Sequence, residues 1–292
     1  MTAPLLSITD LVVEYPGRRR TSFRALHGVS LDVRPGETMG LVGESGSGKT
    51  TLGRAVLGLA PVSGGSITFD GADIGTATKQ QRRRLSRDIQ VVFQDPYTSL
   101  NPAMRVGDIL AEPLLAQGIG RGDARARVAE LLGQVNLPLD AADRFSGEFS
   151  GGQRQRVAIA RALAIDPRLI VCDEPVSALD LTTQARVLEL FAEIQERTGV
   201  AYLFVSHDLA VIRAISHRVA VMYRGRIVEQ GSVADVTERP QDPYTRSLLL
   251  AAPVPDPGEQ RERRLARLAA SAAARVDDTT PSTDPMTAEA AR

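Results

Sequence analysis

Apolar residues along this chain fall into two kinds of run. Three are short and unbroken: ETMGLVG, which leads into the glycine-rich stretch at Gly43; LIVCDE, which follows the breaker pair Asp166-Pro167; and AYLFVSH, which ends at His207. Unbroken runs of this length between helical stretches predict strands buried on both faces of a parallel sheet. Such sheets bind ligands at the carboxyl ends of their strands, and all three runs carry their polar residues there. The second kind alternates with polar positions, as in LLSITDLVVEY, HGVSLDV and GSITFDG. A period of two predicts an antiparallel β layer beside the parallel core.

AVMYRGRIVEQG predicts a hairpin turning at Arg224-Gly225. Between Asp95 and Ser150 the period becomes helical, as in DARARVAELLGQVNL, over a length that suits a helical subdomain inserted into the sheet. EFSGGQRQRVAIARAL opens a further amphipathic helix whose apolar face is Val157, Ala160, Leu163 and Ala164. Beyond about Pro253 large apolar residues thin out. The chain there predicts disorder, with a short helix at ERRLARLAAS. The expected fold is α/β: a mostly parallel core sheet, an antiparallel β layer and an inserted helical subdomain.

Composition narrows the chemistry. The 35 basic and 35 acidic residues cancel, which argues against a general nucleic-acid binder. The basic runs Arg18 to Arg20 and Arg82 to Arg84 read as solvated faces. One cysteine, Cys172, excludes an intrachain disulfide framework and an all-cysteine metal site, and fits a reducing, cytoplasmic location. As the end of an apolar strand it reads as a buried structural thiol. MTAPLLSITD lacks a signal-peptide pattern, and no apolar run nears the ~20 residues that span a bilayer. Lys49 and Lys79 are the only lysines among many arginines, so a lysine at a demanding position stands out.

Lys49 lies in GESGSGKT, Gly43 to Thr50, which fits G-x-x-x-x-G-K-[ST] between a strand-like and a helix-like run. Glycines let backbone N–H groups close around phosphate oxygens, and the following helix N-terminus adds partial positive charge. The cradle comprises Gly43, Ser45, Gly46, Gly48, Lys49, Thr50 and Thr51. Lys49 is placed for the β- and γ-phosphates and the Thr50 hydroxyl for Mg²⁺. At the end of LIVCDEP, Asp173 is placed to hold Mg²⁺ through water, and Glu174 to orient or deprotonate an attacking water. Ser150, Gly151, Gly152 and Gln153 form a second helix start suited to an anion. One ATP does not need two cradles from one chain, so the second can serve the ATP of a partner chain.

FSGGQRQR ahead of CDEP and downstream of GESGSGKT resembles the signature of ABC-type ATPases, P-loop NTPases of known fold. Other motifs follow the same order: Tyr15 in VVEYP, Gln94 in VVFQDP, SALD from Ser177 to Asp180, and His207 in VSHDL. The resemblance spans about residues 5 to 255. It implies that Tyr15 stacks on adenine and that Gln94 touches Mg²⁺ and the attacking water. It also implies that His207 contacts the γ-phosphate, that Ser150 to Gln153 bind the partner's ATP, and that Asp180 links the two sites. Phe149 stands where most of the family has leucine. His27 and His217 match no motif and read as structural.

DPYTSLNPAMRVGDILAEPL and DPYTRSLLLAAPVPDP resemble the peptide and nickel uptake branch of that family. The resemblance implies an ATPase domain over 1–255, with the helical subdomain at about 96–165 and a short extension from about 232, followed by a disordered tail at 256–292. It implies ATP and Mg²⁺ as ligands, a second ATPase subunit (homo- or heterodimeric), two transmembrane permease subunits and, indirectly, an extracytoplasmic solute-binding protein. The place of work is then the cytoplasmic face of the membrane. No nucleic acid is expected, and the missing cysteines exclude the iron–sulfur cluster of some members. The competing reading is an ATPase subunit of a cytoplasmic assembly such as one for phosphonate degradation.

Overall fold

A computed structural model describes residues 3–17, 22–95 and 99–251 of the 292. The run Arg18 to Arg20, the ERRLARLAAS helix and the 256–292 tail lie outside the described residues. The fold is mixed α/β with two sheets.

The antiparallel layer is built from β1 (Leu6–Pro16), β2 (Ser22–Val33), β4 (Gly64–Phe69) and the short β5 (Ala72–Asp73), in the order β2-β1-β4-β5. The larger sheet has the order β10-β9-β3-β8-β7-β6. Its parallel strands are β3 (Thr38–Val42), β6 (Ile89–Val92), β7 (Leu169–Asp173), β8 (Ala201–Ser206) and β9 (Arg218–Tyr223). β10 (Arg226–Ser232) pairs antiparallel with β9, Tyr223 opposite Arg226. Both turn residues, Arg224 (φ 44°) and Gly225 (φ 76°), take the positive φ of a two-residue hairpin whose twist matches its strands.

The unbroken apolar runs are apolar for a physical reason. Successive side chains point to opposite faces, and both faces are covered. Leu169, Val171, Leu203 and Val205 enter the core shared with the antiparallel layer. Ile170, Cys172, Tyr202 and Phe204 enter the core on the other face, which the helices build. Phe191 sits there edge-on to both Tyr202 and Phe204, with centroids 5.4 and 5.5 Å away.

Helix α1 (Lys49–Val56) follows β3, and α2 (Lys79–Leu85) precedes β6. Between β6 and β7 lie α3 (Val106–Ala116), α4 (Arg121–Gln134) and α5 (Gly151–Leu163). Helices α6 (Leu181–Thr198) and α7 (Leu209–Ile215) flank β8. The described chain closes with α8 (Val233–Glu238) and α9 (Pro243–Ala251).

Two readings need correction. Arg82 is not part of a solvated face: its guanidinium is half-buried and donates to the carbonyls of Val56 and Ile74, tying α2 to the end of α1. Arg83 and Arg84 are exposed. Helix α5 is buried well beyond one apolar stripe. Ala158, Ile159 and Ala162 are covered as fully as Val157, Ala160 and Leu163, because α5 is wedged among α3, α4 and α6.

Candidate active site

The glycine-rich loop is shaped by close approach. A Cβ on Gly43 (φ 156°) would stand 2.1 Å from the Met222 carbonyl oxygen. One on Gly48 (φ 106°) would stand 2.8 Å from Leu26 Cδ2. Only glycine lets the loop lie this close to β9 and β2. Gly225 N–H donates to the Ser47 carbonyl at 2.9 Å, so the β9–β10 hairpin also supports it. Ser45 and Gly46 at the tip are exposed, while Thr50 and Thr51 are half-buried in the first turn of α1.

Lys49 is buried, and its ammonium donates to Gly43 O (2.7 Å) and Glu44 O (2.9 Å). Burial pulls it below the usual lysine range, partly offset by Glu174 and Asp173. The ammonium is thus sheltered from water before any phosphate arrives.

Thr50 Oγ1 donates to Asp173 Oδ1 at 3.0 Å. Burial pushes the Asp173 carboxyl above the usual range, against the Thr50 hydrogen bond. A half-buried carboxylate and a hydroxyl side by side are hard oxygen donors of the kind that Mg²⁺ takes together with phosphate oxygens. No cluster of three or more His, Cys, Asp or Glu fit to hold a metal occurs among the described residues. A divalent ion at Thr50 and Asp173 would complete its shell with substrate oxygens, water and neutral protein oxygens such as that of an amide side chain.

Glu174 has φ 50°, a left-handed conformation that costs a residue with a Cβ about 1–3 kcal/mol. Three hydrogen bonds hold it there. Its N–H donates to Val205 O, and its own carbonyl accepts from Ser177 N–H and Ser177 Oγ. The result is a carboxylate 3.0 Å from His207 Nδ1, so that the two strand ends meet. Gln94 follows β6 at the same edge of the sheet and is exposed.

The FSGGQ segment starts α5. Ser150 is the N-cap: its Oγ accepts from Gln153 N–H (3.3 Å), while Gln153 Oε1 accepts from Ser150 N–H (3.0 Å). This reciprocal cap orients the helix start. The first-turn N–H groups of Gly151 and Gly152 have no intrahelical acceptor. Gly152 is buried against α6, where an added Cβ would meet Thr183 Cγ2 at 2.3 Å. Asp180 is the N-cap of α6, accepting from Thr183 N–H (3.0 Å) and Thr183 Oγ1 (2.7 Å). The Thr183 hydrogen bonds hold its carboxyl below the usual range.

Tyr15 ends β1 opposite Phe23 and is half-buried against the core behind the phosphate loop. Cys172 is fully buried, with its thiol pushed well up by burial. His217 accepts from Thr38 N–H at its Nδ1, while its own N–H donates to Thr38 O. His27 N–H donates to Gly225 O. Sequence reasoning missed Met222, Thr183 and Tyr244, which shape or touch these segments from elsewhere in the chain, and gave Gly225 only as a hairpin turn. For Tyr244 the one available signal was the DPYT stretch.

The chain is similar to known proteins in sequence and in fold. Residues 26–177 match the family described as ABC transporter. A protein of Brucella ovis whose name assigns it ATP binding in peptide import is 51% identical over 265 residues, covering 90% of this chain and 83% of the relative. The glutathione import ATP-binding protein GsiA of Shigella flexneri is 51% identical over 269 residues, covering 90% of this chain and 43% of that longer protein. Among solved structures, the dimeric ATP-binding cassette MJ0796, in a post-hydrolysis state with ADP and Pi, is 28% identical with a TM-score of 0.70. The match covers 78% of this chain and 98% of that one. CbiO1 of Clostridium perfringens, part of the transporter complex cbiONQ, is 28% identical with a TM-score of 0.73, over 81% of this chain and 91% of that one.

Proposed function

The chain belongs to the ABC transporter family and is an ATPase of that family; from this premise we propose that it powers uptake of peptides or a related small solute through a membrane permease. The observation that carries the hydrolytic part is the meeting of Glu174 and His207 beside the Thr50–Asp173 pair. A water activator, a phosphate cradle and hard oxygen ligands then share one strand-end site. The relatives named for peptide and glutathione import support uptake over a role in a cytoplasmic non-transport complex.

ATP binds in the loop from Gly43 to Thr51, with Lys49 turning from the loop carbonyls to the β- and γ-phosphates and Tyr15 against adenine. Thr50 and Asp173, joined by Gln94, would hold Mg²⁺, which when bound would supply charge neutralisation on the phosphates. Glu174 positions and deprotonates the attacking water. His207 gives up part of its contact with Glu174 to reach the γ-phosphate. Ser150, Gly151, Gly152 and Gln153 meet the ATP of a second ATPase subunit. Closure follows because each nucleotide has contacts that only the closed dimer offers. Asp180, at the start of α6 and one turn from the Gly152 contact, links the two sites.

The region 1–255 acts as the ATPase domain, its 96–165 helices docking the permease and its segment from about 232 forming a family-type extension. No helix among the described residues is long and apolar enough to cross a membrane. Attachment to the cytoplasmic face of the membrane is through two permease subunits, which receive solute from an extracytoplasmic binding protein.

The test is light scattering of the Glu174→Gln protein with MgATP, alone and mixed with a sibling ATPase, followed by reconstitution of the wild-type protein with the permeases. ATP-driven dimers and ATP-dependent peptide accumulation in vesicles are expected. Dimers without any solute accumulation would remove the uptake assignment and leave the ATPase.

A further inference from the structure

The carbonyl of Gly43 and the N–H of Glu44 belong to one peptide unit, and this unit is gripped from both ends. Lys49 Nζ donates to the carbonyl at 2.7 Å. The N–H donates to the hydroxyl oxygen of Tyr244 at 3.0 Å, two hundred residues further along the chain. The unit is also pressed against β9, where a Cβ on Gly43 would collide with the Met222 carbonyl.

Tyr244 is itself held in place. Its ring lies over that of Tyr223, at the end of β9, with centroids 4.2 Å apart and planes 30° apart. The turn that leads into α9 is clamped by Glu229 of β10, whose carboxylate accepts from Gln241 N–H (2.8 Å) and Asp242 N–H (3.2 Å). Asp242 Oδ1 in turn accepts from Tyr244 N–H at 2.8 Å. Three separate contacts therefore aim one hydroxyl at the first peptide of the phosphate loop.

The two grips are not equivalent once nucleotide binds. An ammonium has three donors, and a triphosphate competes for them with the loop carbonyls. The hold at the carbonyl end of the Gly43–Glu44 peptide is then shared with the phosphates, while the one at the N–H end is not. We propose that Tyr244 is a positioning residue for ATP binding: its hydroxyl keeps the start of the phosphate loop in shape when Lys49 turns to the phosphates. Helix α9, at the C-terminal end of the described chain, is thereby part of the nucleotide site. This rests on reading GESGSGKT as the phosphate loop. A loop held in its bound shape loses less conformational freedom on binding, so the effect falls on affinity.

The test is equilibrium binding of ATP and of a methylanthraniloyl ATP analogue, with Mg²⁺, to the full chain as wild type, Tyr244→Phe and Tyr244→Leu. Tyr244→Phe keeps the ring on Tyr223 and removes only the hydroxyl. It is expected to bind about three- to tenfold more weakly, the worth of one hydrogen bond. KM for ATP should rise by a similar factor while kcat stays within about twofold. Tyr244→Leu should show the same loss of affinity and a lower Tm, because the ring stack goes as well. Wild-type affinity in Tyr244→Phe would overturn the proposal even if Tm fell, since the hydroxyl would then serve the fold alone. A fall in kcat at unchanged affinity would overturn it too. Failure of the wild type to bind nucleotide would instead sink the phosphate-loop reading itself.

Discussion

His207 Nδ1 stands 3.0 Å from Glu174 Oε2, joining the ends of two neighbouring parallel strands. The Glu174 side chain is largely covered and the imidazole is about half exposed. The covered partner is thus the candidate base, and the exposed one is free to move. Glu174→Gln keeps the shape and removes the basicity. Phosphate release should fall by a factor of about 100 or more, while ATP affinity stays close to wild type. Single-turnover hydrolysis and equilibrium binding, measured side by side, check this; equal losses in both would mean that Glu174 serves binding and not chemistry.

The contact of Gly152 with Thr183 gives a second prediction. Gly152→Ala places a methyl 2.3 Å from Thr183 Cγ2, on a β-branched side chain that has little freedom to turn. The cost should be about 1–3 kcal/mol in urea unfolding. Thr183→Ser removes that methyl and keeps the hydroxyl bonded to Asp180, so the double variant should regain most of the loss. If it regains none, the steric account of Gly152 is wrong.

Thr50 and Asp173 form the third. Thr50→Ala removes the hydroxyl that donates to Asp173 and that would face Mg²⁺. Hydrolysis should drop more than tenfold, with a steeper dependence on Mg²⁺ concentration. Chelating divalent ions should stop hydrolysis by the wild type, and adding Mg²⁺ back should restore it. Hydrolysis that persists in excess EDTA would count against a metal at this pair.

Acid stability supplies the fourth. Arg218 donates to both Asp32 oxygens, joining β2 to β9, and this hydrogen bonding holds the Asp32 carboxyl below the usual range. A carboxyl with a depressed folded-state pKa contributes stability that is complete above the unfolded value. That contribution is lost as pH falls through the folded value, below about pH 4. Asp32→Asn should therefore be less stable than wild type at neutral pH, and the gap should shrink on acidification. Urea midpoints at pH 7 and near pH 3.5 test the sign; a gap that widens in acid would contradict it.

Much of the site was legible because its parts are local. A phosphate cradle needs consecutive backbone N–H groups, so Gly43 to Thr51 declare themselves within nine positions. The strand-end carboxylates follow an apolar run whose two buried faces leave no polar position except the last. The serine-capped start of α5 and the hairpin at Arg224-Gly225 were readable for the same reason: cap and turn chemistry act over three or four residues.

What lay beyond the sequence are the pairs that bring distant segments into contact. Arg82 sits in an arginine run and looked solvated, yet tertiary packing places two buried carbonyls within its reach. The amphipathic pattern of α5 could not reveal that other helices enclose it on further sides. Gly152 looked like a backbone donor, and only the position of α6 adds that no side chain fits there. The grip of Tyr244 on Glu44 spans two hundred residues with no periodic signal, because a single side-chain to backbone hydrogen bond imposes no pattern on the residues around it. The sequence by itself determined the elements and the local motifs of this protein. The tertiary structure alone decided which groups reach one another, since that depends on how strands and helices stack in space.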